Sequence, residues 1–287
     1  MRKGGLKESG LALAFLAPSL VVFGVFFFYP IVRIVYWGFY QQNRLGTEMR
    51  WVGWSQYQDV LTGSAFLDAL KATLLYALYT VPAGLILGVL LAVVAHRQLK
   101  GIKVFQTIFS STVATSVAVA SVVWIVLINP TVGKLPVDWL QNPSLGIGGA
   151  LFGVAVSSIW QNIGLTFIIV LAGLQAVPDE LLEAATVDGM SATRRFFTVT
   201  LPLLAPTLLF LVVVLTVFAF QAFAQIDILT EGGPAGSTET LVYKIFQSQA
   251  PSDLGVGSVM AVGLFVITFV VALSQFLILD RRVHYGR

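Results

Sequence analysis

Six long apolar stretches constrain the fold of this chain more than any other feature. Each stretch is about as long as the 20 or so apolar residues that a helix needs to cross a bilayer. Strands of a membrane barrel would be about ten residues long and would alternate in polarity, so the stretches predict helices. The predicted spans are Leu11–Val32, Leu70–Val94, Val104–Ile128, Gly149–Val177, Leu203–Ile226 and Val256–Leu279.

Composition supports an all-α membrane protein. The 287 residues are 57% hydrophobic and only 11% charged, whereas soluble domains are roughly a quarter charged. The low charge also excludes a disordered chain or a nucleic-acid binder. The chain has no cysteine, and its two histidines, His96 and His284, lie far apart. Disulfides, thiol nucleophiles and a cysteine- or histidine-based metal site are therefore not expected.

The distribution of basic residues predicts the orientation. Four segments hold most of the 17 Lys and Arg residues: the N-terminus, the His96–Lys103 loop, the Pro178–Pro202 loop and the C-terminus. By the positive-inside rule, both termini and these two loops face the cytoplasm. Six spans, an even number, also place both termini on the same side of the membrane. We expect the spans to form one domain over residues 1–287. The basic residues concerned are Arg2, Lys3, Lys7, Arg97, Lys100, Lys103, Arg194, Arg195, Arg281, Arg282 and Arg287.

The spans contain polar amides and lack the signatures of an enzyme. No nucleotide-binding P-loop, zinc-protease or serine-hydrolase motif occurs, so we expect a transport subunit without a cofactor of its own. Gln221 and Gln225 are four residues apart, which predicts a shared face on one helix. Such amides either line a path for a polar solute or form hydrogen bonds between helices. The candidate pathway residues are Trp160, Gln161, Asn162, Gln221 and Gln225.

The loop between the fourth and fifth spans, about residues 178–202, predicts two short helices at the cytoplasmic surface. Pro178 followed by two acidic residues is typical of a helix start. Gly189 is placed to end this helix and Ser191 to cap the next one. Adjacent alanines beside Glu183 would form a small exposed knob that another backbone can approach closely. From these residues alone, an interfacial amphipathic loop is an equally good interpretation.

One spaced motif in this loop carries a family resemblance. Glu183, Ala184 and Ala185 are followed after three residues by Gly189, and after nine more by the sequence Val-Thr-Leu-Pro, which ends at Leu201 and Pro202. This pattern resembles the E-A-A-x3-G-x9-I-x-L-P motif of binding-protein-dependent ABC importer permeases, with Val199 in place of Ile. The blocks Phe15–Val32, Trp51–Leu61, Val122–Gly133 and Leu229–Phe246 resemble sugar-type permeases of the same group.

The resemblance implies a type I importer in a bacterial or archaeal cytoplasmic membrane. Two different permeases would form the pathway, two ATPase subunits would bind ATP and Mg²⁺, and an external binding protein would deliver the solute. The resemblance assigns Glu183, Ala184, Ala185 and Gly189 to a coupling helix, about Pro178–Gly189, that docks on the ATPase. It assigns Leu201 and Pro202 to the boundary of the fifth span.

The resemblance also indicates a carbohydrate or polyol solute. The segments LVYKIF and DRRVHYGR are most similar to the A-type permeases of glycerol-3-phosphate importers, which implies glycerol 3-phosphate or a glycerophosphodiester. A neutral disaccharide remains an alternative, because no Lys or Arg lies in the middle of a predicted span. An ion-coupled secondary transporter is the alternative from another class, and it would need an ion site.

Overall fold

The apolar stretches form helices, and two of the six predicted spans are broken. The computed structural model describes residues 5–43, 45–96, 100–128 and 146–280. Among these residues, four helices are long and apolar enough to cross a membrane, and two bent helix pairs raise the number to six. The four are Leu11–Trp37, Ser64–Ala95, Gly149–Gln175 and Pro251–Leu279. Arg2, Lys3, Arg97, His284 and the segment from Arg281 onward lie outside the described residues, as does the end of the Val122–Gly133 block.

The described residues pack as two compact units. The first consists of the chain up to Phe66 together with Ile245–Gly263, and the second of Leu67–Lys244 together with the chain from Leu264 onward.

The first unit contains the first span and a folded segment that follows it. α1 (Gly5–Phe23) continues through a π-helical turn into α2 (Tyr29–Trp37), so the span ends later than predicted. A two-stranded antiparallel hairpin of β1 (Tyr40–Gln42) and β2 (Met49–Trp51), with Tyr40 opposite Trp51, leads to α3 (Trp54–Thr62). The segment between the first two spans is therefore folded into a hairpin and a short helix.

Aromatic side chains hold the segment after the first span together. The Phe39 ring stacks on Trp51 with centroids 5.2 Å apart and meets the edge of Trp54 at 5.0 Å. The Tyr57 hydroxyl donates to the Val35 carbonyl at 3.0 Å. Burial raises the pKa of the Tyr57 phenol, so it remains a neutral donor.

The second unit contains most of the remaining spans. Its main elements are most of α4 (Ser64–Ala95), α5 (Ile102–Ser111), α6 (Val117–Ile128) and α7 (Gly146–Gln175). They continue with α8 (Asp179–Val187), α9 (Ala192–Arg195), α10 (Leu201–Leu203), α11 (Ala205–Phe220) and α12 (Ala224–Leu229). α13 (Leu241–Gln247) and α14 (Leu254–Asp280), like α4, have residues in both units.

α4 and α7 approach closely because α4 offers glycines at the contact. A Cβ added at Gly84 would lie 2.6 Å from the Asn162 Cβ, and one added at Gly88 would collide with Thr166. Two glycines four residues apart, facing two residues four apart, form the small-residue contact by which membrane helices pack. This contact brings the polar residues of α7 next to α4.

The third predicted span is not one helix. α5 ends in a 3-10 turn at Thr112–Ala114, and α6 leaves at an angle of 106°. Ser116 begins α6 because its hydroxyl accepts the Val119 N–H at 3.3 Å, as N-cap residues do. The local sequence therefore supplies the break, and the prediction of a continuous helix was wrong.

The fifth predicted span is bent at its start and broken near its end. The chain bends by 69° between the segment Ala192–Leu203 and α11. Pro202 and Pro206, which lack an N–H to donate, flank this bend. At the other end α11 stops at Phe220 and α12 starts at Ala224. The prediction that Gln221 and Gln225 share a face of one helix was therefore wrong.

Candidate functional site

A cavity lined by apolar, amide and hydroxyl side chains lies inside the second unit, where the two broken spans meet α4 and α7. Its volume is about 580 Å³. The lining residues come from α4, α7 and the two breaks. At the first break they lie in the turn after α5 and at the start of α6. At the second they lie at the end of α11, in residues 221–223 and at the start of α12. Together, the lining residues are Tyr76, Thr80, Thr112, Val113, Thr115, Val117, Ser158, Gln161, Asn162, Leu165, Phe218, Ala219, Gln221, Ala222, Phe223, Ala224 and Gln225.

α7 contributes one polar face to this cavity. Gln161 and Asn162 follow Ser158 by three and four residues, and Leu165 follows them by four and three, so all four lie along one side of the helix. Trp160 is not among the lining residues, and its position about 200° around the helix from Ser158 places it off that face. The structure therefore separates Trp160 from the two amides next to it in sequence.

Gln161 combines the two roles that the sequence left open. Its side-chain amide donates to the Thr115 carbonyl at 3.1 Å, which ties α7 to the turn between α5 and α6. Its side chain also lines the cavity. The amide therefore satisfies a carbonyl exposed by the helix break and leaves its own oxygen as an acceptor beside the cavity.

Hydroxyl groups that the sequence analysis did not single out complete the polar lining. The Tyr76 hydroxyl and Ser158 Oγ are 2.6 Å apart, and both residues are buried. Thr80 donates to the Tyr76 carbonyl one turn earlier. The four-residue spacing of Tyr76 and Thr80 within an apolar run was the available signal, although threonines and tyrosines are common in membrane helices.

The cavity offers amide and hydroxyl groups and no charged side chain among its lining residues. Gln221 and Gln225 both line it despite the break, Gln221 exposed and Gln225 buried. Amides and hydroxyls can both donate to and accept from the hydroxyl groups of a polar solute. Chemically, the arrangement is equipped for binding such groups.

The predicted coupling segment forms a second candidate site. α8 ends as a Schellman motif: the Gly189 N–H donates to the Thr186 carbonyl at 3.0 Å, and the Met190 N–H donates to the Ala185 carbonyl at 3.1 Å. Gly189 has φ +74°, a conformation that favours glycine. The Ser191 hydroxyl then accepts the Arg194 N–H and caps α9. Both helix-end predictions are confirmed.

α8 has a buried face and an exposed face. Ala185 is 4% exposed, and Leu182 and Met190 are half-buried. Ala185 therefore does not belong to an exposed two-alanine knob, which corrects that prediction. Glu183, Ala184 and Gly189 are exposed. Leu201 and Pro202 lie in α10, just before the bend into the fifth span.

Comparisons with known proteins agree with this architecture. Residues 60–285 match the family described as the binding-protein-dependent transport system inner membrane component. The chain is 36% identical, over 94% of both chains, to the sn-glycerol-3-phosphate transport system permease protein UgpA of Agrobacterium fabrum strain C58. It is 35% identical to the UgpA protein of Brucella abortus over the full length of both.

A solved structure has the same fold. A chain of a bacterial alginate ABC transporter, in complex with an alginate pentasaccharide-bound periplasmic protein, superposes with a TM-score of 0.79 at 20% identity. The match covers 99% of this chain and 98% of the other.

Proposed function

Since this chain belongs to the family of binding-protein-dependent transport system inner membrane components, we propose that it forms half of the pathway of an ATP-driven importer of sn-glycerol 3-phosphate or a glycerophosphodiester. Membership of this family confirms the resemblance inferred from the spaced motif. The chain is a multi-pass permease subunit of the inner membrane, with the fold of type I importer permeases.

The observation that carries the proposal is the amide- and hydroxyl-lined cavity between two broken spans. A broken helix exposes polar backbone, which membrane proteins place where it lines a cavity. The glycerol part of the proposed solute has hydroxyl groups that Gln161, Asn162, Gln221 and Gln225 can bind. Identity of 33–36% to permeases named for sn-glycerol-3-phosphate transport supports the choice of solute.

The proposed partners follow from the surface of α8 and from the family. A second, different permease completes the pathway, an external binding protein delivers the solute, and two ATPase subunits bind ATP and Mg²⁺. Glu183, Ala184 and Gly189 lie on the exposed side of α8, where an ATPase can contact them. ATP-driven closure of the ATPase pair then moves α8 and opens the cavity alternately to each side.

The solute is tested on the binding protein of the same system. We expect calorimetric titration to show tight binding of sn-glycerol 3-phosphate or glycerophosphocholine and none of maltose or trehalose. Tight binding of a disaccharide with neither phosphate compound would contradict the proposed solute. It would favour a neutral sugar, which the cavity amides and hydroxyls can also bind.

The cavity is tested by a matched pair of amide variants in the reconstituted complex. Gln225→Leu removes an amide that lines the cavity, and we expect the KM for uptake to rise about fivefold or more, since one hydrogen bond is worth about 1 kcal/mol. Gln275→Leu is the control. It removes a span amide that instead donates to Thr216 Oγ1 at 3.0 Å. Equal KM values for the two variants would argue against solute binding in this cavity.

A further inference from the structure

The break between α11 and α12 leaves a carbonyl without its helical partner. In an unbroken helix the Ile226 N–H would donate to the Ala222 carbonyl, but here it donates to the Phe223 carbonyl at 3.0 Å. The Thr240 hydroxyl replaces the Ile226 N–H as donor to the Ala222 carbonyl, at 3.3 Å. Thr240 is 1% exposed and Ala222 5% exposed. Leaving a buried carbonyl without a donor costs free energy, so this hydrogen bond stabilises the conformation of the break.

The residue after Thr240 is fixed to a different span. The Leu241 N–H donates to Thr73 Oγ1 of α4 at 2.9 Å, and the Thr73 hydroxyl donates to the Ala69 carbonyl at 2.8 Å. Thr73 and Leu241 are fully buried. Thr240 and Leu241 therefore connect α4 to the break, and we name these two residues the brace.

The loop before the brace has its own hydrogen bonds. The Thr230 and Thr238 hydroxyls are 2.7 Å apart, and Thr238 Oγ1 donates to the Gly233 carbonyl at 3.0 Å. These contacts do not involve the break. Thr238, which is also fully buried, is therefore a natural comparison for Thr240.

We propose that Thr240 is a positioning residue of the transport pathway: its hydroxyl, held by the attachment of Leu241 to Thr73, fixes the conformation of the break that presents Gln221 and Gln225 to the cavity. Gln221, Ala222 and Phe223 all line the cavity, whereas Thr240 is not among the lining residues. Thr240 acts through the Ala222 carbonyl and does not contact the solute.

The test compares Thr240→Val with Thr238→Val in the reconstituted complex with its ATPase, second permease and binding protein. Valine keeps the shape of threonine and removes the hydroxyl. With Thr240→Val we expect the KM for sn-glycerol 3-phosphate uptake to rise about fivefold with the maximal rate nearly unchanged, a factor that one hydrogen bond can account for. Thr240→Ser retains the hydroxyl and should restore the wild-type KM, while Thr238→Val should leave the KM unchanged.

A second measurement does not depend on the solute. The chain has no cysteine, so Ala224→Cys places a single thiol at the cavity. We expect its reaction rate with a methanethiosulfonate reagent to change about fivefold when combined with Thr240→Val or Thr73→Val, and not with Thr238→Val. The uptake assay depends on the proposed function, because it uses sn-glycerol 3-phosphate as the solute, whereas the thiol measurement does not. If the wild-type complex does not take up sn-glycerol 3-phosphate, the solute is wrong, and thiol reactivity still decides the role of Thr240.

Three outcomes would overturn the inference. One is an unchanged KM and an unchanged thiol rate in Thr240→Val. Another is a raised KM in Thr240→Ser. The third is that the Thr240→Val and Thr73→Val proteins are both missing from the membrane while the Thr238→Val protein is present. The brace would then be needed for folding and not for positioning.

Discussion

At the scale of single residues, glycine decides how closely α7 approaches the break in the third span. A Cβ added at Gly164 would collide with Thr112 Oγ1 and would lie 2.9 Å from the Phe109 carbonyl. Thr112 lines the cavity, and Phe109 lies in α5 just before the turn. Backbone cannot rotate away as a flexible side chain can, so space at Gly164 is a requirement of this packing.

We expect Gly164→Ala to destabilise the permease by about 1–3 kcal/mol, the usual cost of overpacking. Thermal denaturation in detergent measures the loss, and uptake should fall with it because the turn at Thr112 is displaced. Gly24→Ala is the control, since a Cβ there meets nothing within 4 Å. Equal denaturation temperatures for the two variants would show that α7 and the turn are not in close contact.

At the scale of elements, α8 is built so that its end can be exposed without losing hydrogen bonds. The Schellman motif satisfies the last carbonyls of the helix within the chain itself. Arg195 Nη1 donates to Thr186 Oγ1 at 2.6 Å and fixes α9 beside α8. A Cβ at Gly189 would meet nothing within 4 Å. The chain alone therefore requires glycine at this position only for its backbone conformation.

Gly189→Asn separates backbone conformation from docking. Asparagine tolerates the left-handed conformation better than most residues, so α8 should form and the membrane level should stay near wild type. If the ATPase contacts Gly189 closely, the added side chain should still reduce uptake by an order of magnitude or more, as about 1.4 kcal/mol or more of lost docking energy implies. Uptake and copurification of the ATPase are measured together. Normal values for both would show that Gly189 is not in a tight contact.

At the scale of the whole molecule, the positive-inside prediction assigns a side to every loop. Single cysteines can be labelled selectively because the chain contains none. We expect Lys100→Cys and Ser191→Cys to react with an impermeant reagent only from the cytoplasm, and Thr47→Cys and Ala235→Cys only from outside. All four positions are exposed. Reaction of residue 191 from outside would rule out contact of α8 with a cytoplasmic ATPase.

The sequence by itself determined that the molecule is a helical membrane protein, and it determined where α8 ends along the chain. Apolar length requires helices, because backbone in lipid must satisfy its own hydrogen bonds. The motif around Gly189 predicted a helix end, because only a few residue types adopt a positive φ readily. These inferences depend on interactions within a few residues along the chain, and the structure confirms them in α8, α9 and the long helices.

Only the tertiary structure decided where the polar groups meet. Hydropathy averages over a window and does not reveal breaks as short as residues 112–116 or 221–223, so the ends of α5 and α11 were missed. Trp160 and Gln161 are adjacent in sequence, yet only Gln161 lines the cavity. The Ala222 carbonyl finds its donor 18 residues away at Thr240, and Leu241 finds Thr73 168 residues away. Such pairs depend on packing between spans, because each broken helix needs a partner from another element to satisfy its exposed backbone.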